Sequence, residues 1–267
     1  MNVLVLVKCV PNTETRVRVA ADGKSLDDTD VKWVLNPYDE FAVEEGLRQV
    51  EKAGTGQVTV VSLGDGSVAA AELRTLLRKC LALGAERAVL LDAPEFHGGD
   101  GLSTAVALAA ACRKLGFDLI LAGKQGVGTD RNQVPVMLAE LLDLAHVAVV
   151  SKLAIDDASA TCEREIEGGR EVVEATLPCV ITAQKGLNEP RHAKLQGIMK
   201  AKKKPLDVWG PADLDVAAET VGAAGAGATW SKLELPPPRP KGRLLEGDPG
   251  EAAAELVRLL SEEAKVI

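Results

Sequence analysis

Four short, unbroken apolar runs, each followed by a helical pattern, constrain this chain more than any other feature. Val3–Val7, "QVTVVSLG", "RAVLLD" and "DLILAG" carry no alternation of polar and apolar residues, as expected of strands buried on both faces. Between and after them lie "YDEFAVEEGLRQVEKAG", "SVAAAELRTLLRKCLALGA", "GLSTAVALAAACRKLG" and "RNQVPVMLAELLD", which read as helices. Ser67 is placed to cap the second of these. Strand alternating with helix in this way predicts a parallel sheet covered by helices on both faces.

From about His146 the rhythm changes. "HVAVVSKLAID", "ATCEREIEG" and "REVVEATLPCVITAQ" are strand-like, and Gly168-Gly169 between two alternating segments predicts a tight hairpin added to the sheet. After Lys204 periodicity is lost, and "AAETVGAAGAGATW" and "LPPPRPKG" read as an extended arm. A short amphipathic helix, Glu251–Lys265, is expected to close the chain, and no internal repeat is present. The arm has too little apolar content to fold alone before that helix and is better explained by wrapping a partner. The expected division is residues 1–185 as a nucleotide-binding α/β domain with its hairpin, 186–205 as a recognition loop, and 206–267 as the arm and terminal helix.

Composition narrows the function. With 3% aromatics the core must be built from Val, Leu, Ile and Ala, and a formal charge of −8 argues against nucleic acid as a general partner. The five cysteines, Cys9, Cys80, Cys112, Cys162 and Cys179, are odd in number and form no CxxC pair, as expected of reduced, buried thiols. The N-terminus lacks the charged segment and apolar length of a secretory signal, and no apolar stretch approaches ~18 residues, so a cytoplasmic protein without a membrane span is expected.

Familiar nucleotide motifs are absent. "KCVPNTET" after the first strand contains no GxGxxG, and the chain has no GxxxxGK[ST]. "VSLGDGS" resembles the SGGxDS pyrophosphate loop of adenylating enzymes but has Leu63 for a glycine and follows the wrong strand, so a turn with a helix cap is the simpler reading. No metal-ligand spacing occurs, and His97, His146 and His192 nominate no catalytic centre. "LAGKQGVGTDRNQ" is the strongest candidate, because it leaves the carboxyl end of the fourth strand, where open parallel sheets bind ligands. Gly123, Gly126 and Gly128 admit close backbone approach, and Asp130, Arg131 and Asn132 lead into a helix whose first N–H groups offer an anion site. Pro135 suits that first turn. Asn36 in "NPYDE" could read a base or ribose edge, or cap the next helix.

One segment fits neither core nor linker. "LNEPRHAKLQGIMKAKKK" combines Leu195, Ile198 and Met199 with Lys200, Lys202, Lys203 and Lys204. With "VLVKCVP", "LNPYDEFAVEEGLR", "GKQGVGTDRNQ" and "EREIEGGREVVEATLPCVIT", it makes about the first 205 residues resemble the β subunit of the electron-transfer flavoproteins. That resemblance implies a Rossmann-like, adenine nucleotide α-hydrolase-like fold and a heterodimer with an α subunit that holds the redox-active FAD. It implies structural AMP bound here through Leu6, Asn36, Pro37, Tyr38, Asp39, Leu63, Gly123, Lys124, Gln125, Gly126, Val127, Gly128, Thr129, Asp130, Arg131, Asn132, Gln133 and Val134. In bifurcating relatives the same place holds a second FAD that oxidises NADH. The heterodimer would take electrons from acyl-CoA dehydrogenases or similar flavoenzymes and pass them to a quinone oxidoreductase or another acceptor. It would act as a carrier rather than an enzyme with its own substrate.

The same resemblance makes Leu195 the residue that docks in an apolar pocket of the dehydrogenase, with Ile198 and Met199 widening the contact and the lysines steering toward an acidic partner. Two departures bear on the nucleotide. Val134 stands where AMP-binding members commonly have a hydroxyl residue, and "QVP" leans toward the FAD-binding relatives. AMP is the favoured occupant and FAD the alternative. Thr13 stands near the place of an aromatic residue that contacts the FAD ring in some relatives.

Overall fold

The computed structural model describes every residue except Asp157 and Pro240. In chain order the elements are β1 (Asn2–Leu6), β2 (Cys9–Pro11), β3 (Trp33–Leu35), α1 (Pro37–Ala53), β4 (Gln57–Leu63), α2 (Ala70–Leu83), β5 (Arg87–Leu91) and α3 (Gly101–Leu115). They continue with β6 (Leu119–Gly123), α4 (Val134–Leu142), β7 (Ala145–Ile155), β8 (Ser159–Ile166), β9 (Gly169–Thr176), β10 (Cys179–Ala183), α5 (Leu195–Ala201), β11 (Leu206–Trp209) and α6 (Pro249–Arg258). The chain divides into two compact units, Met1–Leu233 and Glu234–Ile267.

In the first unit, nine strands form one sheet in the order β11-β5-β4-β1-β6-β10-β7-β8-β9. The strands from β11 through β7 pair in parallel, and β8 and β9 add the antiparallel hairpin. Alternation along β1 assigns its side chains to two cores: Val3 and Val5 join α1 and α2 on one face, whereas Leu4 and Leu6 join α3 and α4 on the other. Burial on both faces is why these strands appear in the sequence as continuous apolar runs. All five cysteines are buried and unpaired with one another, and burial pushes the Cys80 thiol up to about 12.

Local chemistry departs from expectation at several points. α2 starts at Ala70 behind Ala69, and no side chain caps it. Ser67 instead turns back on Asp65, which accepts from both its N–H and its hydroxyl, so a local Asx turn takes the residue that would have been the cap. The hairpin loop is Glu167-Gly168, with Gly168 at φ +77° and Gly169 already paired with Ile166. Leu206–Trp209, expected within the arm, is a strand that pairs with β5 at the sheet edge. Its backbone groups find a ladder there, which matters more than the weak periodicity of four residues.

In the second unit, Asp248 caps α6 by accepting from the N–H groups of Gly250 and Glu251. The helix is shorter than expected: it gives way to a wider π-helical turn at Leu259–Glu263, and Arg258 pairs with Glu255 and Glu262. Among the described residues no helix is long and apolar enough to cross a membrane.

Candidate functional site

Because β4 lies on one side of β1 and β6 on the other, the connections diverge at the carboxyl ends of β1 and β6. Such a switch point opens a crevice in parallel α/β sheets. Here it is a cavity of about 270 Å³, near the lower end of the roughly 300–1,000 Å³ usual for ligand pockets.

One wall is stitched together by two buried side chains. Asp39, in the first turn of α1 and only 4% exposed, accepts from the backbone N–H of Lys8 (2.8 Å) through Oδ2. Its Oδ1 accepts from the N–H of Gly123 (3.1 Å) and from Asn36 Nδ2 (2.7 Å). The end of β1, the start of α1 and the end of β6 thus meet on one carboxylate. Burial pushes that carboxyl up to about 7, against the lowering effect of these hydrogen bonds and of the Lys8 charge. A Cβ at Gly123 would stand 2.2 Å from Asp39 Oδ1, so only glycine allows the approach.

Asn36 sits at the N-cap position of α1 without making a cap bond. Its amide donates to Asp39 and to the Gln125 carbonyl (2.9 Å), and its Oδ1 accepts from the Val127 N–H (3.1 Å). The expected capping role is therefore replaced by a tether on the 123–134 loop. A buried amide is stable only when its polar groups are matched, and this loop supplies the partners.

The loop itself is held by Asp130 N–H to the Gly126 carbonyl (2.9 Å) and Gln125 Nε2 to Asp130 Oδ1 (2.6 Å), with Asp130 and Asn132 at φ +45° and +52°. No side chain caps α4 at Gln133, and Val134, the first residue of the helix, lines the cavity. Of the residues expected at the nucleotide, Leu6, Asn36, Asp39 and Leu63 line the cavity, as do Gly123–Gly126, Thr129 and Arg131–Val134. Pro37, Tyr38, Val127, Gly128 and Asp130 do not. Val127 and Asp130 shape the loop from behind, and Tyr38 lies under the Lys124 ammonium (4.9 Å to the ring centroid).

Sequence reasoning missed Lys8, Asp65, Gly99, Asp100, Gly101, Thr104 and Trp230, all of which line the cavity. Asp100 had a legible signal: Asp100 and Ser103 form a reciprocal capping box at the start of α3. Trp230 had none. The three histidines are not assembled into a site; burial and the nearby Arg164 charge hold His146 below its ordinary value. No group of side chains among the described residues could hold a metal ion.

The second candidate region begins with an anchor on α1. Asn188 donates to the Phe41 carbonyl (3.0 Å) and to Glu45 (2.9 Å). Arg191 forks onto Glu44 (2.7 Å) and Glu51 (2.6 Å), with the Glu44 side chain 4% exposed and the Arg191 side chain 32%. Burial acts to raise the Glu44 carboxyl, but hydrogen bonds from Arg191 and Arg48 hold it below its ordinary value. Beyond the anchor, α5 carries Leu195 76% exposed, with Ile198 and Met199 also exposed, while Ala201 is buried. Arg78 fastens the far end by donating to the carbonyls of Ala201 (2.7 Å) and Lys204 (2.6 Å). Lys200, Lys202 and Lys203 are exposed. Lys204, expected with them, instead turns inward to the carbonyls of Gly84 (3.4 Å) and Ala85 (2.8 Å) and to Glu86 (3.2 Å), because two carbonyls and a carboxylate satisfy its ammonium there.

Known proteins resemble this chain along its whole length. A family model described as an electron transfer flavoprotein domain matches residues 24–214. An electron transfer flavoprotein subunit beta from Bacillus subtilis is 43% identical over 270 residues, covering 100% of both chains. Another, from Bradyrhizobium diazoefficiens, is 36% identical over 271 residues and also covers 100% of both. The caffeyl-CoA reductase-Etf complex subunit CarD of Acetobacterium woodii is 33% identical over 264 residues, covering 98% of each.

Proposed function

The chain belongs to the electron transfer flavoprotein family as a β subunit, and on that premise we propose that it is the nucleotide-stabilised docking half of a heterodimeric electron carrier. Its α-subunit partner would hold the FAD that accepts and releases electrons. The observation that carries the reading is α5: three exposed apolar side chains on a short helix, preceded by an arginine anchored on the buried Glu44 carboxylate. Exposed apolar residues on a fixed support favour a transient protein contact. Donors of the acyl-CoA dehydrogenase type and a quinone oxidoreductase or other flavin-reactive acceptor fit a carrier that docks and leaves, working in the cytoplasm. Burying one Leu contributes ~1.5–3 kcal/mol, enough to favour docking without holding the partner after each transfer.

AMP suits the crevice. The cavity of about 270 Å³ is lined by apolar Leu6 and Leu63 together with the polar residues of the 123–134 loop, a mixed lining that suits a base and a phosphate. The uncapped start of α4 at Val134 and the cations Lys8 and Arg131 would give a phosphate its donors. Asn36 and Asp39 hold the crevice open by their internal bonds. The nucleotide would therefore stabilise the fold without reacting.

A second reading is favoured by the full-length similarity to a subunit of a caffeyl-CoA reductase-Etf complex: this chain would hold a second FAD that oxidises NADH. One experiment separates the two. The chain is coexpressed with its α subunit, the complex is denatured, and the released nucleotides are identified by mass spectrometry. One FAD and one AMP per heterodimer is the expected result; two FADs and no AMP would make this chain a redox subunit.

A further inference from the structure

The segment "VGAAGAGATW", which composition marks as a loose arm, begins packed backbone against backbone at residues 221–223. Val221 is wholly buried and the Ala223 N–H donates to the His97 carbonyl (2.8 Å). Gly222 takes φ +54°, and a Cβ there would stand 2.0 Å from the Glu95 carbonyl oxygen. From this base the chain runs to the start of α3. There Asp100 Oδ2 accepts from the N–H groups of Gly227 (2.9 Å) and Ala228 (3.1 Å), while Oδ1 caps the helix through Ser103 (3.0 Å). These bonds hold Asp100 below the ordinary carboxylate range. Two residues on, Trp230 reaches the loop before α4, where the Arg131 guanidinium lies 4.8 Å from its ring centroid.

Residues 227–230 therefore run from the cap of α3 to the loop that leads into α4, along the stretch of the cavity lining where Gly101 lies beside Gln133. Trp230 and Arg131 both line the cavity. We propose that this strap is a further binding element of the adenine-nucleotide site: Trp230 covers the bound nucleotide, and Asp100 positions the strap. The proposal rests on the nucleotide reading above. An indole face is a stacking surface for a base or for the guanidinium that meets a phosphate. Trp230 is 58% exposed, so a ligand beneath it would bury apolar surface left open to water. A retained structural nucleotide needs slow release, and a tied cover slows release more than contacts at the cavity floor alone.

The test uses the heterodimer loaded with radiolabelled AMP and chased with unlabelled AMP. Trp230→Ala is expected to speed release roughly tenfold, the lower part of what a base–aromatic stack is worth, and Trp230→Phe to restore slow release. Asp100→Asn keeps an oxygen for the Ser103 N–H but presents an amide to Gly227 and Ala228. It is expected to speed release to a similar extent and to hasten amide hydrogen exchange over residues 222–230. Labelled AMP retained by the wild type and released at one common rate from all variants would overturn the strap and leave the nucleotide reading standing. A wild-type heterodimer that fails to retain AMP would overturn both.

Discussion

The two ends of residues 188–199 are built in opposite senses. At the near end, Asn188 and Arg191 carry polar groups inward onto Glu45, Glu44 and Glu51. At the far end, Leu195, Ile198 and Met199 turn apolar groups outward. Folding alone would reverse both choices, since burying charge is costly and burying Leu is favourable. The inner end is tolerated because the Arg191 fork and the Arg48 guanidinium satisfy a carboxylate already out of water. The outer end has no such compensation within the chain. The contrast teaches that the segment's internal contacts are confined to its base, which is the arrangement the proposed docking role calls for.

The strongest way to break this contrast is Arg191→Ala. It leaves the Glu44 carboxylate with Arg48 alone, and urea unfolding should show a loss of about 2–3 kcal/mol, below the full penalty for a buried pair because Arg48 remains and Arg191 is partly open to water. A loss under about 0.5 kcal/mol, typical of a surface pair, would erase the distinction between the two ends. Leu195→Ala should do the reverse. The unfolding midpoint should stay in place while affinity for the electron donor falls roughly ten- to hundredfold, read from the concentration dependence of flavin reduction in stopped flow.

Titration sharpens the comparison with two buried carboxylates of α1. Glu44, held low by cations, stabilises the fold above its unfolded value of 4.5, and that contribution is lost as the pH falls through the acid range. Asp39, pushed up to about 7 from 3.8 with N–H donors as its direct partners, has the opposite sign. Its contribution is present below about 3.8 and is lost as the pH rises through 7. Stability measured against pH should fall gently from pH 5 to 8 in the wild type, and this slope should vanish in Asp39→Asn. The smallest effect belongs to the exposed lysines: Lys202→Ala with Lys203→Ala should lower the donor association rate a few-fold at low salt and not at high salt.

What the sequence disclosed follows from distance along the chain. The parallel strands and the helices between them were legible because double-sided burial and helical periodicity are local patterns. The α5 tip was legible because exposed apolar residues beside lysines contradict every internal role. The partners of Arg191 were not, since Glu44 lies 147 positions away. Asn36 looked like a cap because the Asn-Pro dipeptide is a helix start; its true partners, Gln125 and Val127, lie 89 and 91 positions on. The Gly- and Ala-rich stretch around residue 222 misled for a sharper reason. The same small residues serve a free linker and a segment pressed against another backbone, and only the neighbour distinguishes them.

The strand order also dictates when the sheet can be completed. β10 lies between β6 and β7, so β6 and β7 share no ladder although one follows the other in the chain. During synthesis, β7, β8 and β9 leave the ribosome as a meander with no edge to join. They are sealed to the central strands only once residues 179–183 slot into the gap. A nascent chain stopped at Thr176 would carry two unfinished edges, one on each side of that slot, and both would be open to pairing with another chain. The step that fills this slot therefore removes two open edges at once, and chaperone demand should peak just before β10 emerges.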